Sequence, residues 1–319
     1  MCITRVMRTT FFARTARTIM LALASLAGAP GAPGAAGAQQ RQPPTIRVYI
    51  SADMEGVAGA VTSDQLGPAG FEYARFREYM TDEVNAAIQG ARDAGATEFV
   101  ISDSHGNGEN LLLDRLPPDV TVVRSFPRPL MMMQGIDSTF DAAVFVGYHA
   151  ATTNARGVRA HTLSSADLAA VRLNGVAMPE SGINAAIAGA FGVPVVALSG
   201  DDAAVAEAQQ LVAGLEGAVV KRAISFHAAA TMMPPAAQAL IREKVRAGVA
   251  ARRAVRPYVV RAPIALDLTF KNYRPAELLA FLPSVERVDA HTVRFTARSM
   301  SEAARFMEFA LSYRSDLTP

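Results

Sequence analysis

Side chains of the kinds that bind metals follow several apolar runs of this sequence, at the point where each run ends. Asp53 and Glu55 follow IRVYIS, His105 follows TEFVIS, His149 follows AAVFVGY, and Glu180 opens the segment ESGINAA. Because the carboxyl ends of parallel strands meet at one crevice of an α/β sheet, we expect these side chains to converge. Carboxylates and imidazoles are ligands for divalent cations. The pattern therefore predicts a metal site at the edge of such a sheet.

Apolar runs rich in β-branched residues alternate with segments of helical spacing along the chain. The spacing predicts strands at 46–51, 97–102, 120–125, 142–149, 171–176, 193–202, 263–270 and 291–297, and helices at 71–94, 179–192, 207–215, 236–249, 275–281 and 301–313. Alternation of this kind predicts an α/β fold with three layers, in which helices cover a mainly parallel sheet. A smaller α/β portion is predicted toward the C-terminus.

The predicted organisation has four parts. Residues 1–38 are interpreted as a signal peptide, 39–45 as a polar lead-in, 46–202 as the α/β domain with the metal site, and 203–319 as the C-terminal α/β portion. No chemical motif occurs in the last part, so its predicted roles are packing, pocket shaping and oligomer contacts. The sequence leaves open whether it is a separate domain or a second layer of the first.

The first 38 residues carry four arginines and no acid, then an apolar stretch at 19–26 and the small residues Ala36-Gly37-Ala38. A basic start, a short apolar core and an A-x-A-like end are typical of a secretory signal peptide. The apolar core is shorter than the about 20 residues that a membrane-spanning helix requires. We therefore expect a periplasmic or secreted protein without a membrane association after cleavage. An uncleaved anchor or a misassigned start codon is the alternative interpretation.

Charge and cysteine content exclude several other classes. The chain has 31 basic and 29 acidic side chains, and losing the four leader arginines would make it slightly acidic. Without a basic stripe, nucleic acid is not an expected partner. The single cysteine, Cys2, lies in the predicted leader. Disulfides, a zinc ribbon and a thiol nucleophile are therefore not expected in the mature chain.

Each candidate ligand also has a purely structural interpretation. Asp53, Glu55 and Gly56 suit a turn for backbone reasons alone. Glu180 suits a helix start, where a carboxylate complements the N-terminal dipole. A single histidine is more often a surface or core residue than a ligand, but His105 has a possible orienting carboxylate two residues away, at Asp103.

Taken in order, the segments SADMEG, SDSHG, VGYHA, AHT and PESGIN resemble the zinc-dependent D-aminopeptidase family of bacterial dipeptide-transport operons. The resemblance implies two Zn²⁺ ions per subunit. It implies that Asp53 bridges them, that Glu55 and His105 complete the first site, and that His149 and Glu180 complete the second. It also implies that His161 is the catalytic residue, as a nucleophile or as a proton donor and oxyanion partner. The sequence does not choose between these two roles.

The function implied by this resemblance is a di-zinc metallo-aminopeptidase that hydrolyses short peptides with N-terminal D-amino acids of the D-Ala type. A ring-like homo-oligomer is implied in the same way. The alternatives are an exported two-metal amidohydrolase or phosphoesterase, which would use the same geometry, and a non-catalytic periplasmic protein that binds metal or peptide. The metal itself stays open, because Mn²⁺ and Co²⁺ accept similar ligands.

Overall fold

Apolar strands and amphipathic helices alternate through residues 45–314, the part of the chain that the computed structural model describes. The strands are β1 (Arg47–Ala52), β2 (Glu98–Asp103), β3 (Val120–Val123), β4 (Ala142–Tyr148), β5 (Leu168–Leu173), β6 (Val176–Ala177), β7 (Val195–Asp201), β8 (Glu216–Ser225), β9 (Ala228–Thr231), β10 (Ile264–Phe270), β11 (Val285–Arg287) and β12 (Thr292–Ala297). The α-helices are α1 (Ser63–Leu66), α2 (Tyr73–Asp93), α3 (Glu180–Ala190), α4 (Asp202–Leu211), α5 (Pro234–Ala250), α6 (Tyr273–Leu279) and α7 (Met300–Ser312).

The larger sheet has seven strands in the order β3-β2-β1-β4-β7-β8-β9. Its neighbours are parallel, except that β9 folds back antiparallel on β8. Every residue of β4 and β7 is buried, which requires cover on both faces of the sheet. Helices α2 and α5 pack on each other and on this sheet, while α3 packs on β4 and on α7. The predicted three-layer α/β fold with a mainly parallel sheet is confirmed.

The smaller sheet is antiparallel, with the order β11-β12-β10-β5-β6. Helices α6 and α7 pack against it. The two sheets interleave along the chain, because β5 and β6 precede residue 202 whereas β8 and β9 of the larger sheet follow it. A boundary between residues 202 and 203 therefore does not separate the two sheets, and the described residues 45–314 belong to one compact unit.

Helix α2 forms where its apolar stripe was predicted. Phe76, Met80, Val84 and Ile88 of this stripe are buried. Gly90 faces α5 so closely that a Cβ atom would lie 2.3 Å from the Arg242 carbonyl oxygen. The missing side chain lets the two helices approach each other and cover the sheet above β1 and β4.

Two hairpins depart from the predictions. The single strand predicted at 171–176 is a hairpin, in which Asn174 and Gly175 both adopt positive φ between β5 and β6, as the Asn-Gly pair favours. The second hairpin, β8–β9, lies between the helices predicted at 207–215 and 236–249, where no strand was predicted. Its strands mix apolar and polar residues and show no clear alternation of burial.

The predicted signal peptide and nearly all of the lead-in lie outside the described residues. Among residues 45–314, no helix combines the length and apolar character needed to cross a bilayer.

Candidate metal centre

The predicted ligands converge because the sheet brings the ends of three parallel strands together. Strand β1 lies between β2 and β4, with Ala52 opposite both Asp103 and Val146. The chain then leaves all three strands at the same edge, carrying Asp53, His105 and His149 with it.

The first group of candidate ligands consists of Asp53, Glu55 and His105, all buried. The Nδ1 atom of His105 lies 2.8 Å from Glu55 Oε2 and 3.2 Å from Asp53 Oδ1. One imidazole nitrogen therefore faces two carboxylates.

The second group consists of Asp53, His149 and Glu180. The Nε2 atom of His149 lies 3.3 Å from Asp53 Oδ2 and 3.2 Å from Glu180 Oε2. Glu180 is the first residue of α3, and its other oxygen accepts a hydrogen bond from the Leu163 amide at 2.7 Å. The carboxylate thus faces the cluster and does not cap its own helix. Asp53 belongs to both groups, with one oxygen toward each histidine.

Main-chain carbonyls fix the orientation of each imidazole in this cluster. His105 donates from Nε2 to the Leu66 carbonyl at 2.6 Å, and His149 donates from Nδ1 to Ala150 at 3.1 Å. Because this proton is held by a carbonyl, the other nitrogen of each ring is left facing the carboxylates, where the neutral ring can offer its lone pair to a cation. This arrangement of donor and lone pair is typical of metal-bound histidine.

The donor atoms fit a divalent cation. Within residues 45–314, Asp53 Oδ2 and His149 Nε2 are both buried and have no hydrogen-bond partner. Such atoms are costly to bury unless a further group satisfies them. Oxygen and imidazole donors from Asp53, Glu55 and His149 also lie within 4.8 Å of one another, close enough to share one ion. A set of oxygen and nitrogen donors without thiolate suits a catalytic zinc site.

The pKa shifts within the cluster also indicate that it attracts positive charge. Burial alone would raise the pKa of Asp53, but the neighbouring imidazoles of His105 and His149 outweigh it and hold that pKa below its usual range. Burial would likewise lower the pKa of His105, but the Glu55 and Asp53 carboxylates raise it well above its usual value. The pKa of His149 is raised in the same way by Glu180 and Asp53, against the effect of burial. The carboxylates thus stay ionised and attract cations.

His161 lies beside the cluster, on its open side. Its ring stacks on His149, with centroids 4.0 Å apart and planes 7° apart. Its Nδ1 donates to the Arg159 carbonyl at 2.8 Å, and its Nε2 lies 3.7 Å from Glu180 and 3.9 Å from Glu55. Its side chain is 12% exposed, whereas that of His149 is 1% exposed. Of these two stacked rings, His161 is the one accessible from the cavity.

A cavity of about 440 Å³ opens onto the cluster. Four of the five candidate ligands line it, together with His161. Its outer wall includes Asp167, Glu308, Ser312 and Arg314, so helix α7 and the residues after it form one side of the entrance. A larger cavity of about 630 Å³ lies between α6 and α7 and contains none of the candidate ligands.

Several residues that support the site were not identified from the sequence. Asp103 does not touch the His105 ring, as had been considered possible. It accepts hydrogen bonds from the amides of Asn110 and Leu111 and so closes the loop that carries His105. Asp201, the last residue of β7, caps α4 and also accepts a hydrogen bond from the Val158 amide at 2.6 Å. It thereby anchors the loop that ends at His161.

Two further buried ionisable side chains, Lys221 and Glu83, form hydrogen bonds with the segment that follows β1. Lys221 on β8 donates to three of its carbonyls, and Glu83 on α2 accepts from the Ala58 amide at 2.9 Å. Burial raises the pKa of Glu83 to about 7. Neither residue stands in a motif, and Lys221 is separated from Glu55 by 166 positions, so no local pattern marks them.

Known proteins resemble this chain over most of its length. A family model described as D-aminopeptidase, Peptidase M55, matches residues 46–309. A D-aminopeptidase of Bacillus subtilis (strain 168) is 34% identical over 266 residues, which cover 82% of this chain and 95% of that protein. A solved structure described as the Zn-dependent D-aminopeptidase DppA from Bacillus subtilis, a self-compartmentalizing protease, matches with a TM-score of 0.80 and 32% identity, covering 86% of this chain and all of that one. The chain belongs to the M55 D-aminopeptidase family.

Proposed function

We propose that this chain is a zinc-dependent aminopeptidase that holds two zinc ions per subunit and hydrolyses short peptides with an N-terminal D-amino acid of the D-Ala type. The observation that carries the proposal is the position of Asp53, whose two oxygens face His105 and His149 separately. A carboxylate that directs one oxygen toward each of two histidines can contact two metal ions at once. Membership of the D-aminopeptidase family supports the substrate class.

Asp53, Glu55 and His105 would hold one ion, and Asp53, His149 and Glu180 the other. Bound there, zinc would polarise the carbonyl of the scissile bond and lower the pKa of a water molecule. The protein keeps both imidazoles oriented through main-chain carbonyls, so the donor atoms are in place before a ligand arrives.

His161 would act as a proton donor at Nε2. Its Nδ1 proton is held by the Arg159 carbonyl, and its Nε2 atom lies beyond hydrogen-bond distance from Glu55 and Glu180. That nitrogen is therefore free to exchange a proton with a group in the cavity, such as the leaving amine of a peptide.

The charges of the cavity support a substrate with a free amine. Besides the candidate ligands, its lining within the described residues contains the acids Asp167 and Glu308 and one arginine, Arg314. A phosphoester substrate would require basic residues, and Arg156 and Arg159, the candidates in the sequence, do not line this cavity in the described part of the chain. The Arg159 guanidinium lies over the Phe226 ring instead. The aminopeptidase is thus favoured over a phosphoesterase, and a non-catalytic binding protein leaves His161 without a role.

Hydrolysis of D-Ala di- and tripeptides in zinc buffer tests the proposal, with the L-peptides as the comparison. We expect release of D-Ala, loss of activity with a chelator, and recovery when zinc is restored. Failure to cleave any of several such D-peptides by zinc-loaded protein would contradict the proposed function.

We also propose that the protein is exported to the periplasm or secreted. The four arginines and the short apolar core within residues 1–38 support this location. N-terminal sequencing of protein recovered outside the cytoplasm is expected to begin near residue 39, and a retained Met1 would contradict cleavage.

A homo-oligomer, formed as a ring, is the proposed assembly. The description of the solved relative as self-compartmentalizing supports it, as do exposed large apolar side chains such as Phe71 and Ile224. Light scattering is expected to report a multiple of the chain mass, and a monomer at micromolar concentration would contradict this assembly.

A further inference from the structure

Lys221 is a lysine buried in the protein interior, with 2% of its surface exposed. Its Nζ atom donates to the main-chain carbonyl of Glu55, to that of Val57 at 3.0 Å and to that of Ala60 at 2.6 Å. An ammonium group has three donors, and here each has one acceptor. Lysine is almost never fully buried without partners, so this complete set of hydrogen bonds explains how the charge is tolerated.

The segment that Lys221 binds, residues 55–60, begins at one candidate ligand and follows another, Asp53. It forms turns and no helix or strand, so its carbonyls lack the partners that regular structure supplies. Among residues 45–314, Lys221 is the hydrogen-bond donor for the carbonyls of Glu55 and Ala60. Without the ammonium group, these buried acceptors would lose their partner, and the turns would be free to rearrange.

The same segment is also held through its amides. The Gly56 amide donates to the Gly147 carbonyl at 2.6 Å, and the Ala58 amide donates to Glu83 at 2.9 Å. These bonds fix amides, whereas Lys221 fixes the carbonyls, so the peptide planes are held from both sides.

The geometry points to Lys221 as a positioning residue of the metal centre: its ammonium group fixes the turns of residues 55–60 and so keeps the Asp53 and Glu55 carboxylates directed at His105. This inference rests on the proposed zinc-dependent function. It assigns a role to a strand residue that lies on none of the loops carrying candidate ligands.

Substitution of Lys221 by Met tests the inference, because Met keeps much of the length of the side chain and removes the ammonium group. We expect the variant to bind zinc at least about tenfold more weakly in competition with a chelator, the size of effect seen when groups behind metal ligands are removed. Amide hydrogen exchange is expected to accelerate in residues 55–60 and to stay unchanged in β4 and β7. The matched control is Lys244→Met, since Lys244 makes a partly exposed ion pair with Glu216 and is expected to keep wild-type zinc affinity.

A folded Lys221→Met protein with wild-type zinc affinity and wild-type exchange in residues 55–60 would overturn the inference. If that variant does not fold, Lys221→Gln provides the test, because its neutral amide group keeps two N–H donors and lacks the third. We expect this variant also to bind zinc more weakly and to exchange its amides faster in residues 55–60, and wild-type values of both would contradict positioning by Lys221. Both measurements need no substrate, so a wild-type protein that binds zinc but cleaves no D-peptide would refute the proposed function and leave this inference standing.

Discussion

Asp53 differs from the other candidate ligands in that its two oxygens serve two different partners. Its Oδ1 atom faces His105 and its Oδ2 atom faces His149, while the Met54 amide also donates to Oδ1 at 2.9 Å. Glu55 and Glu180 instead both lie near His161, whose Nε2 atom is 3.9 Å from the first and 3.7 Å from the second. Under the proposed function, the buried groups are the metal ligands and the accessible imidazole of His161 transfers the proton.

Replacing His161 by Ala is expected to separate catalysis from metal binding. We expect kcat to fall by about 10²–10⁴-fold, the usual contribution of a general acid or base, with the zinc content per chain unchanged. Elemental analysis and peptide hydrolysis measure the two quantities on the same sample. The control is His291→Ala, because His291 is an exposed histidine directly before β12. Loss of a zinc ion from the His161 variant, or full activity, would contradict the assigned role.

Glu83 gives a prediction for the pH dependence of stability. Burial raises its folded pKa to about 7 from the ordinary 4.5, so the folded state holds this proton more tightly than the unfolded state does. The stability that this provides is fully present below about pH 4.5 and is lost as the pH rises through 7. The loss corresponds to roughly 3 kcal/mol at 1.36 kcal/mol per pKa unit.

In Glu83→Gln the side chain stays neutral and keeps the acceptor for the Ala58 amide. Relative to wild type, the variant is therefore expected to gain unfolding free energy as the pH rises from 5 to 8, measured by chemical denaturation of the zinc-free proteins. The same substitution at the exposed Glu286 serves as the control. An identical difference between variant and wild type at both pH values would show that Glu83 does not titrate in this range.

At the scale of elements, the centre depends on a close approach between the exits of β1 and β4. Gly147 on β4 has φ +72, and a Cβ atom there would lie 2.2 Å from the Asp53 carbonyl oxygen. Gly56 on the other segment is equally close to the Tyr148 carbonyl, at 2.0 Å. Two glycines thus allow the segment that carries Asp53 to lie directly against the end of the strand that carries His149.

The substitution Gly147→Ala is expected to weaken zinc binding as well as stability. Gly175, in the β5–β6 turn, provides a matched control, because it also has positive φ, +82, but has no atom within 4 Å of the added Cβ. Both variants would be destabilised by about 1–2 kcal/mol from the left-handed backbone alone. We expect weaker zinc binding only for Gly147→Ala, measured by chelator competition. Equal zinc affinities in the two variants would contradict a role for this close approach.

The elements that carry the candidate ligands were predictable from the sequence, because strands buried on both faces are continuous apolar runs. Strands β1, β4 and β7 are of this kind, and each was predicted to within two residues at its start and one at its end. Strand β8 was not predicted, since it lies near an edge of the sheet and mixes apolar residues with charged ones such as Lys221 and Arg222, without a regular alternation of burial. Such a strand has no distinct local pattern, and its position is decided by pairing with β7.

At the scale of the whole molecule, the residues that hold the site in place could not be predicted from the sequence either. The candidate ligands Asp53, His105 and His149 are recognisable because each comes within two residues of the end of its own strand. Lys221 and Glu83 reach the segment after β1 from β8 and α2, and only the completed sheet brings them there. The family resemblance supplies the order of the motifs, whereas the contacts behind them depend on the packing of helices and strands distant in sequence.

The claim on which the account depends is that Asp53, Glu55, His105, His149 and Glu180 together hold two zinc ions. Anomalous diffraction at the zinc absorption edge, from crystals grown with zinc, tests it most directly. We expect two peaks, one on each side of the Asp53 carboxylate, of which one is contacted by Glu55 and His105 and the other by His149 and Glu180. A single peak, or peaks away from these five side chains, would contradict it.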